Sequence, residues 1–314
     1  MMRAALIDTH GKPPSIGDRD VPAPRDTEVR VRVTAASITP LDVLCATGTS
    51  YFGAPATPYV PGVQGVGELD DGTAAWFATS AGMQPGDGSL AEWAVVPRAD
   101  VVPLPDGVDH RLVAALGLSA VAALMSLTWR GNLQHGEHVL VLGGGGVVGQ
   151  AAIQLALLHG ARRVVAGCRS LPATDRAERA GATTVVRLGE PDFEGRLADS
   201  GPFDLVVDPV FGEPAAAALR ALRAGGRLVN LGSSAGETAP LDSATIRGRS
   251  LSVLGYTNNA ITKEQRANAI ETIADYVRAG RLTLDFETVR LADISDAWSR
   301  QSEGRADRRL VVVP

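Results

Sequence analysis

The chain has 314 residues, a hydrophobic content of 45% and a formal net charge of −5. Such a length predicts two domains with separate cores, and such an apolar content excludes a disordered chain. The acidic balance, with no arginine cluster interleaved with aromatics, excludes a nucleic-acid-binding face, and Cys45 and Cys168 alone exclude a disulfide framework or a four-thiolate zinc site.

The opening MMRAALIDTH lacks the apolar core of a signal peptide, so a cytoplasmic protein is expected. Residues 3–8 and 28–34 read as strands, the second alternating charged and apolar side chains as a half-exposed strand does. Between them PPSIGDRDVPAPRD reads as a proline-rich connection. Residues 35–48 predict a strand end and a short helix stopped at Gly48, and 49–67 a turn-rich stretch. Strands over 73–78 and 90–96 complete a mainly β N-terminal third, and an alanine- and leucine-rich helix over 111–127 leads out of it. Lysine is confined to Lys12 and Lys263 while arginine abounds, a bias of GC-rich coding rather than of chemistry.

The next stretch, His138 to Ser170, carries the main signal. Val139-Leu140-Val141-Leu142 suits a strand buried on both faces, Gln150 to His159 is a helix-length apolar segment, and Val164-Val165-Ala166 reads as a second buried strand. Between the first strand and the helix, Gly144, Gly146 and Gly149 stand in G-x-G-x-x-G register. Gly144 permits the turn, Gly146 lets backbone approach a pyrophosphate, and Gly149 lets helix and strand pack closely, while the helix N-terminus offers unpaired N–H groups to phosphate. The glycines and Gln150 and Gln154 interrupt the run, which excludes a membrane span. An NAD-binding unit carries an acid about 20 residues past the glycines. Here that place holds Cys168, Arg169 and Ser170, so no carboxylate repels a 2′-phosphate and a guanidinium stands ready to pair with one. NADPH is the expected cofactor.

Beyond it a helix over 173–180, strands over 183–186 and 203–208, a helix over 214–224, and strands over 227–231 and 250–254 continue the alternation. That pattern predicts an α/β, doubly wound parallel sheet of six strands. A helix over 262–279 follows, and the closing strand 309–313 is expected to return to the N-terminal β domain.

In AASITPLD, PYVPGVQGVG, GSLAEWAVVP, LGLSAVAAL, the glycine motif, GPFDLVVDPVFG, GGRLVNLGSS and SEGRADRRLVVVP, the chain resembles the medium-chain dehydrogenase/reductase superfamily along nearly its full length. The resemblance implies a β-rich, GroES-like catalytic domain over 1–112, a Rossmann NADP-binding domain over 113–256 and a segment 257–314 returning to the catalytic domain. Zinc-dependent members carry a cysteine ligand where this chain has Thr39, and a His followed by an acid where it has Val63-Gln64. Valine cannot ligate zinc and a threonine hydroxyl is a poor ligand beside a thiolate. The segment 79–89 is too short for the four-cysteine structural lobe. The chain therefore looks like the zinc-free quinone oxidoreductase and enoyl reductase branch, with a soft, conjugated acceptor as substrate.

By position, the resemblance places Ser119 on the nicotinamide-side phosphate and Gly146, Val147 and Val148 around the pyrophosphate. It places Cys168, Arg169 and Ser170 at the 2′-phosphate, and Asp208 to Phe211, including Val210, along the ribose. Leu231, Gly232, Ser233, Gly255, Tyr256 and Thr257 fall at the nicotinamide, and Arg309 stands for the lysine of the usual terminal Gly-Lys. For Ser119 and Val210, core packing is an equal alternative. Without a metal, hydrogen-bond donors must stabilise the developing oxyanion. The candidates are Thr39, Tyr51, Tyr59, Gln64 and Asn258, with Tyr51 first, although an amphipathic tyrosine packed at a rim has the same sequence signature. Three functions stay open: an NADPH-dependent quinone or enone reductase, with secondary-metabolite tailoring as a variant; a zinc-free alcohol dehydrogenase or ketoreductase; and a non-catalytic NADPH-binding protein. The expected partners are a small conjugated substrate and a second copy of the chain, paired through the edge strand 250–254, with neither nucleic acid nor membrane.

Overall fold

The computed structural model describes residues 1–314. The chain begins β1 (Met2–Leu6), β2 (Ser15–Arg19), β3 (Glu28–Ser37), α1 (Pro40–Ala46), β4 (Gln64–Leu69), β5 (Ala74–Ala78), β6 (Trp93–Pro97), β7 (Val101–Pro103) and α2 (His110–Met125). It continues β8 (His138–Leu142), α3 (Val147–Leu158), β9 (Arg163–Cys168), α4 (Leu171–Arg179), β10 (Thr184–Arg187), α5 (Phe193–Ser200), β11 (Phe203–Asp208), α6 (Gly212–Arg220), β12 (Leu222–Asn230), α7 (Ser243–Gly248) and β13 (Ser252–Gly255). It closes with α8 (Lys263–Arg278), β14 (Phe286–Arg290), α9 (Ile294–Ser302) and β15 (Arg309–Val313). Two compact units result: Met1–Gly117 with Lys263–Gly280 and Leu284–Pro314, and Leu118–Thr262 with Arg281–Thr283. The first boundary thus falls inside α2, beyond residue 112, and the second beyond residue 256.

In the first unit, a sheet ordered β14-β15-β3-β4-β5-β7, with β6 also on β3, stands beside a two-stranded β1-β2 ribbon. β15 lies parallel to β14 and antiparallel to β3, so the last strand does return to the N-terminal β domain. Ile7, Val33, Ile38, Phe77, Leu90, Trp298 and Leu310 share one buried core. Two strands fall where turns or connection were expected. β2 pairs with β1 through a half-exposed SIGDR that offers no apolar alternation. β4 holds glycines for a packing reason, since a Cβ on Gly65 would sit 2.6 Å from the Phe77 ring and 2.9 Å from Ser89 Cβ.

In the second unit, six parallel strands run in the order β10-β9-β8-β11-β12-β13. β11 is buried at every position, as a strand covered on both faces must be. The helix expected over 214–224 ends at Arg220, because Leu222 already pairs with Phe203 and Gly225 turns the chain with φ +72°. At the N-terminal edge of the sheet, Arg227 makes a two-pronged pair with Glu137, at 2.8 and 2.5 Å, and also donates to the carbonyls of Gly131, Asn132 and Asp204. Asp204 accepts from the His138 N–H at 2.7 Å and pairs with Arg223. These bonds tie together the starts of β8, β11 and β12.

Residues His110–Arg130 are long and apolar enough to cross a bilayer, but 72% of their most apolar window is buried inside the protein, the pattern of a core helix. Their course is broken at Gly117, whose φ of 32° and ψ of −129° are not helical.

Candidate active site

In the second unit, the strand order reverses between β8 and β11: β9 and β10 continue to one side, β12 and β13 to the other. Ligands bind such sheets in the crevice at the carboxyl ends of the strands where this reversal occurs. The glycine loop, leaving β8, stands on one side of it and the β11–α6 turn on the other, and a Cβ on Gly143 would approach Val210 Cγ1 to 2.9 Å. Gly144 donates to the Gly167 carbonyl at 3.1 Å and Gly146 to Gly143 at 3.0 Å, which folds the loop back on β9. Gly144, Gly145 and Gly149 are buried and each faces neighbours that leave no room for a side chain. Gly146 differs. It is exposed, and a Cβ there would meet only the Gly143 carbonyl at 3.4 Å. Nothing inside the fold demands glycine at this position, and the space beside its Cα is open.

Directly after Gly146, α3 begins without a side-chain cap. The first N–H groups of Val147 and Val148 therefore have no intrahelical acceptor and suit a phosphate. At the end of β9, Cys168 is buried, its Sγ 3.5 Å from the Ala173 carbonyl, while Arg169 is exposed and Ser170 caps α4 by accepting from Ala173 N–H. Across the crevice, Asp208 is fully buried. Its Oδ1 accepts from the N–H groups of Val210 (3.0 Å) and Phe211 (2.8 Å), and its Oδ2 from Asn230 Nδ2 (3.1 Å). Burial pushes the Asp208 carboxyl above its usual range, against those hydrogen bonds. They hold Phe211 at φ 57°, a left-handed conformation costly for an aromatic residue. Asn230 also donates to the Gly232 carbonyl, and Leu231 N–H to the Asp208 carbonyl, so the segment Leu231 to Ser233 is positioned by the same two residues. Gly255, Tyr256 and Thr257 follow at the end of β13, with the Tyr256 hydroxyl 2.7 Å from Asn258 Oδ1. Ser119 is half-buried on the second arm of α2. An open glycine and uncapped helix N–H groups together fit the pyrophosphate of a nicotinamide dinucleotide.

In the first unit, Thr39 begins α1 in a capping box. Its hydroxyl donates to Asp42 Oδ2 at 2.5 Å, its N–H donates to the same oxygen at 2.8 Å, and Asp42 N–H returns to its oxygen at 3.2 Å. Val63 N–H donates to Asp42 Oδ1 at 2.8 Å, so one buried carboxylate joins the two segments where zinc-dependent relatives carry ligands. Burial raises the Asp42 carboxyl against its hydrogen bonds to Thr39 and Val63 and the charge of Arg309. Arg309 is buried on β15, donates to the Ile38 carbonyl at 2.9 Å, and is pulled by burial down to about 10. Its surroundings are protein.

Gln64 is 1% exposed, and its amide is spent inside the unit: Nε2 on Ser37 Oγ (3.0 Å) and the Ala114 carbonyl (3.4 Å), Oε1 accepting from Trp76 Nε1 (3.3 Å). The sequence suggests Gln64 and Thr39 as donors to a substrate oxygen; the structure gives the protons of both to internal acceptors. Asn258 spends one amide hydrogen on the Leu118 carbonyl at 3.2 Å and keeps the other. The Tyr59 hydroxyl is buried without a hydrogen-bond partner, and burial raises it above the ordinary phenol range. Tyr51 is 77% exposed, its ring tilted against Phe52 with centroids 4.0 Å apart. One residue that the sequence did not single out lies at the glycine loop. Arg176 Nε donates to the Gly145 carbonyl at 2.9 Å, and the only hint of it was a cation in the second turn of the helix after β9.

A parallel sheet with this reversal, glycine loop and open helix start, joined to a β-rich unit, defines a nicotinamide-dependent oxidoreductase. The family profile described as "Zinc-binding dehydrogenase" matches residues 147–275, a span that contains neither Thr39 nor Val63. Rat quinone oxidoreductase is 28% identical over 283 residues, covering 84% of this chain and 83% of its own. The human mitochondrial enoyl-[acyl-carrier-protein] reductase is 27% identical over 305 residues, covering 90% and 80%. The structure of quinone oxidoreductase from Thermus thermophilus, solved also as its complex with NADPH, superposes with a TM-score of 0.83 at 27% identity over the whole of both chains. By profile, sequence and fold the chain is similar to the quinone oxidoreductase-like branch of the medium-chain dehydrogenase/reductase superfamily, and its two units have the Rossmann and GroES-like architectures of that superfamily.

Proposed function

We propose that the protein is an NADPH-dependent reductase that delivers hydride to a conjugated acceptor, a quinone or an enone, without a metal. The observation that carries this reading is the pair Thr39 and Val63. Both are buried, neither is a metal ligand of useful strength, and the Thr39 proton is committed to Asp42. No three His, Cys, Asp or Glu side chains converge elsewhere to offer another site.

Bound at the glycine loop, NADPH supplies the hydride. The chain's own residues then have three tasks. Gly146, Val147 and Val148 hold the pyrophosphate by backbone N–H groups, and Asp208 and Asn230 fix the β11 and β12 turns that carry Val210, Phe211, Leu231, Gly232 and Ser233. Tyr51 donates a hydrogen bond, and finally a proton, to the oxygen on which charge develops. A delocalised enolate or hydroquinone oxygen needs less stabilisation than the localised alkoxide of a simple ketone, so a neutral donor suffices for it where the alkoxide gains more from a metal. That difference favours conjugated acceptors over alcohol dehydrogenation. Both cysteines are free and buried, which suits the reducing cytoplasm we assign to it.

The test is NADPH oxidation by protein dialysed against a strong chelator, across a panel of quinones, enones and simple ketones. Turnover of quinones or enones at the undialysed rate is expected. Turnover confined to simple ketones would make it a ketoreductase, NADPH binding without turnover a binding protein, and activity restored only by zinc would overturn the metal-free mechanism.

A further inference from the structure

We infer that Arg176, beyond the exposed Arg169, is the cation that selects a 2′-phosphate. The inference rests on the NADPH reading above and assigns it a residue.

Arg176 lies on α4, which packs directly on the glycine loop. A Cβ on Gly145 would stand 2.5 Å from Ala173 Cα, and one on Gly144 would stand 3.3 Å from Ala177 Cβ. Arg176 Nε donates to the Gly145 carbonyl at 2.9 Å, an oxygen that also accepts from Gln150 Nε2 at 3.0 Å. Cys168 is close by. Burial raises its thiol, while the Gly145 N–H, the charge of Arg176 and the Gly144 N–H act the other way. Arg176 therefore stands beside the side chain that replaces the ribose-binding acid of NAD enzymes, and beside the residue that opens the phosphate loop.

Two features make it more than a brace. Only Nε is used within the protein, and no Asp or Glu pairs with the guanidinium, whereas Arg187, Arg196, Arg220, Arg223 and Arg227 of the same unit have acidic partners. A half-buried cation with both amino groups open is matched by an anion from outside the chain. Its Nε bond to Gly145 also fixes the planar fork in advance, so little side-chain freedom is lost when two oxygens are captured together. Arg169, exposed and untethered, must be ordered on binding and contributes less.

Calorimetric titration of the full chain with NADPH and NADH tests this, comparing the parent with Arg176→Ala, Arg176→Lys and Arg169→Ala. Arg176→Ala is expected to weaken NADPH about 10- to 100-fold, the range of a charge-assisted hydrogen bond, and to leave NADH within about twofold. Arg176→Lys should recover part of the loss, since it keeps the charge without the fork. Arg169→Ala should cost NADPH less than Arg176→Ala. Adenosine 2′,5′-bisphosphate and 5′-AMP should repeat the pattern without the nicotinamide half. Equal losses for both dinucleotides in Arg176→Ala would overturn the inference, leaving Arg176 as a clamp on Gly145. So would an unchanged preference for NADPH, in which case Arg169 carries the selection and the NADPH reading stands. A parent that binds NADH as tightly as NADPH would remove the NADPH reading and the inference together.

Discussion

At neutral pH Glu137 holds a full negative charge in a site with little water, where Arg227 grips both its oxygens and Gln134 N–H donates to one of them. Burial pushes this carboxyl up, but the hydrogen bonds from Arg227 and Gln134 and the charges of Arg227 and Arg223 outweigh it and hold the group below its usual range. A carboxylate depressed in the folded state adds stability that is present above its unfolded value, about 4.3, and is lost as pH falls through the folded one. Glu137→Gln keeps the shape and strands the guanidinium of Arg227, which is 14% exposed. A loss of about 3 kcal/mol is expected near pH 7, read as a lower urea midpoint with an unchanged slope. The gap between parent and variant should close as the pH is taken below about 4. A gap that is constant with pH would mean that shape and not charge does the work there. Asp42 behaves oppositely. Its carboxyl is raised, so its ionisation weakens the fold as pH rises through the folded value, and its hydrogen bonds and Arg309 limit that loss.

Among the elements, α2 carries the sharpest local demand. Gly117 breaks it at φ 32° and ψ −129°, and a Cβ there would collide with the Gln64 amide, which is already held by Ser37, Trp76 and the Ala114 carbonyl. Gly117→Ala should cost about 1–3 kcal/mol from backbone strain alone, seen as a lower thermal midpoint, and a neutral result would show that α2 can straighten. The sequence showed this helix as one apolar run, because a glycine inside a helical pattern looks tolerable until its neighbour across space is known. The same limit hid β4, where glycines that make room for Phe77 and Ser89 look like turn residues. It hid β2 too, whose half-exposed residues have no period to read. The parallel sheet was legible throughout, since strands such as β8 and β11 are buried on both faces and stand out as apolar runs between helices. The glycine motif, Cys168 and the substitutions at Thr39 and Val63 were likewise legible as types in a pattern. Arg176 was not, because its meaning depends on how α4 lies against Gly145.

At the scale of the whole molecule, β13 is the edge of the parallel sheet, with Val253 40% exposed. Tyr256 N–H donates to the Asn230 carbonyl, so by alternation the backbone groups of Leu254 and Tyr256 face β12 and those of Val253 and Gly255 face outward. Arg130 Nε already occupies the Gly255 carbonyl at 2.9 Å. What remains open is the N–H and C=O of Val253 and the N–H of Gly255. An antiparallel two-fold pairing centred on Val253 would use them, and we propose a homodimer built this way. Val253→Pro removes the central donor and should yield monomers by light scattering at micromolar concentration. A parent that is already monomeric, or a dimer indifferent to the proline, would exclude that interface. The return of β15 to a place between β14 and β3 has a consequence during synthesis. Nearly all of the Rossmann unit lies in one stretch, Leu118–Thr262, and can close while the C-terminal segments are still being made. The GroES-like unit cannot: its first 117 residues must wait for β15, which starts only at Arg309, a delay of roughly ten seconds or more at about 5–20 residues per second. Over that interval β3 lacks the partner that Ala36 and Ser37 take in the folded unit, and an unpaired strand edge is a template for wrong pairing.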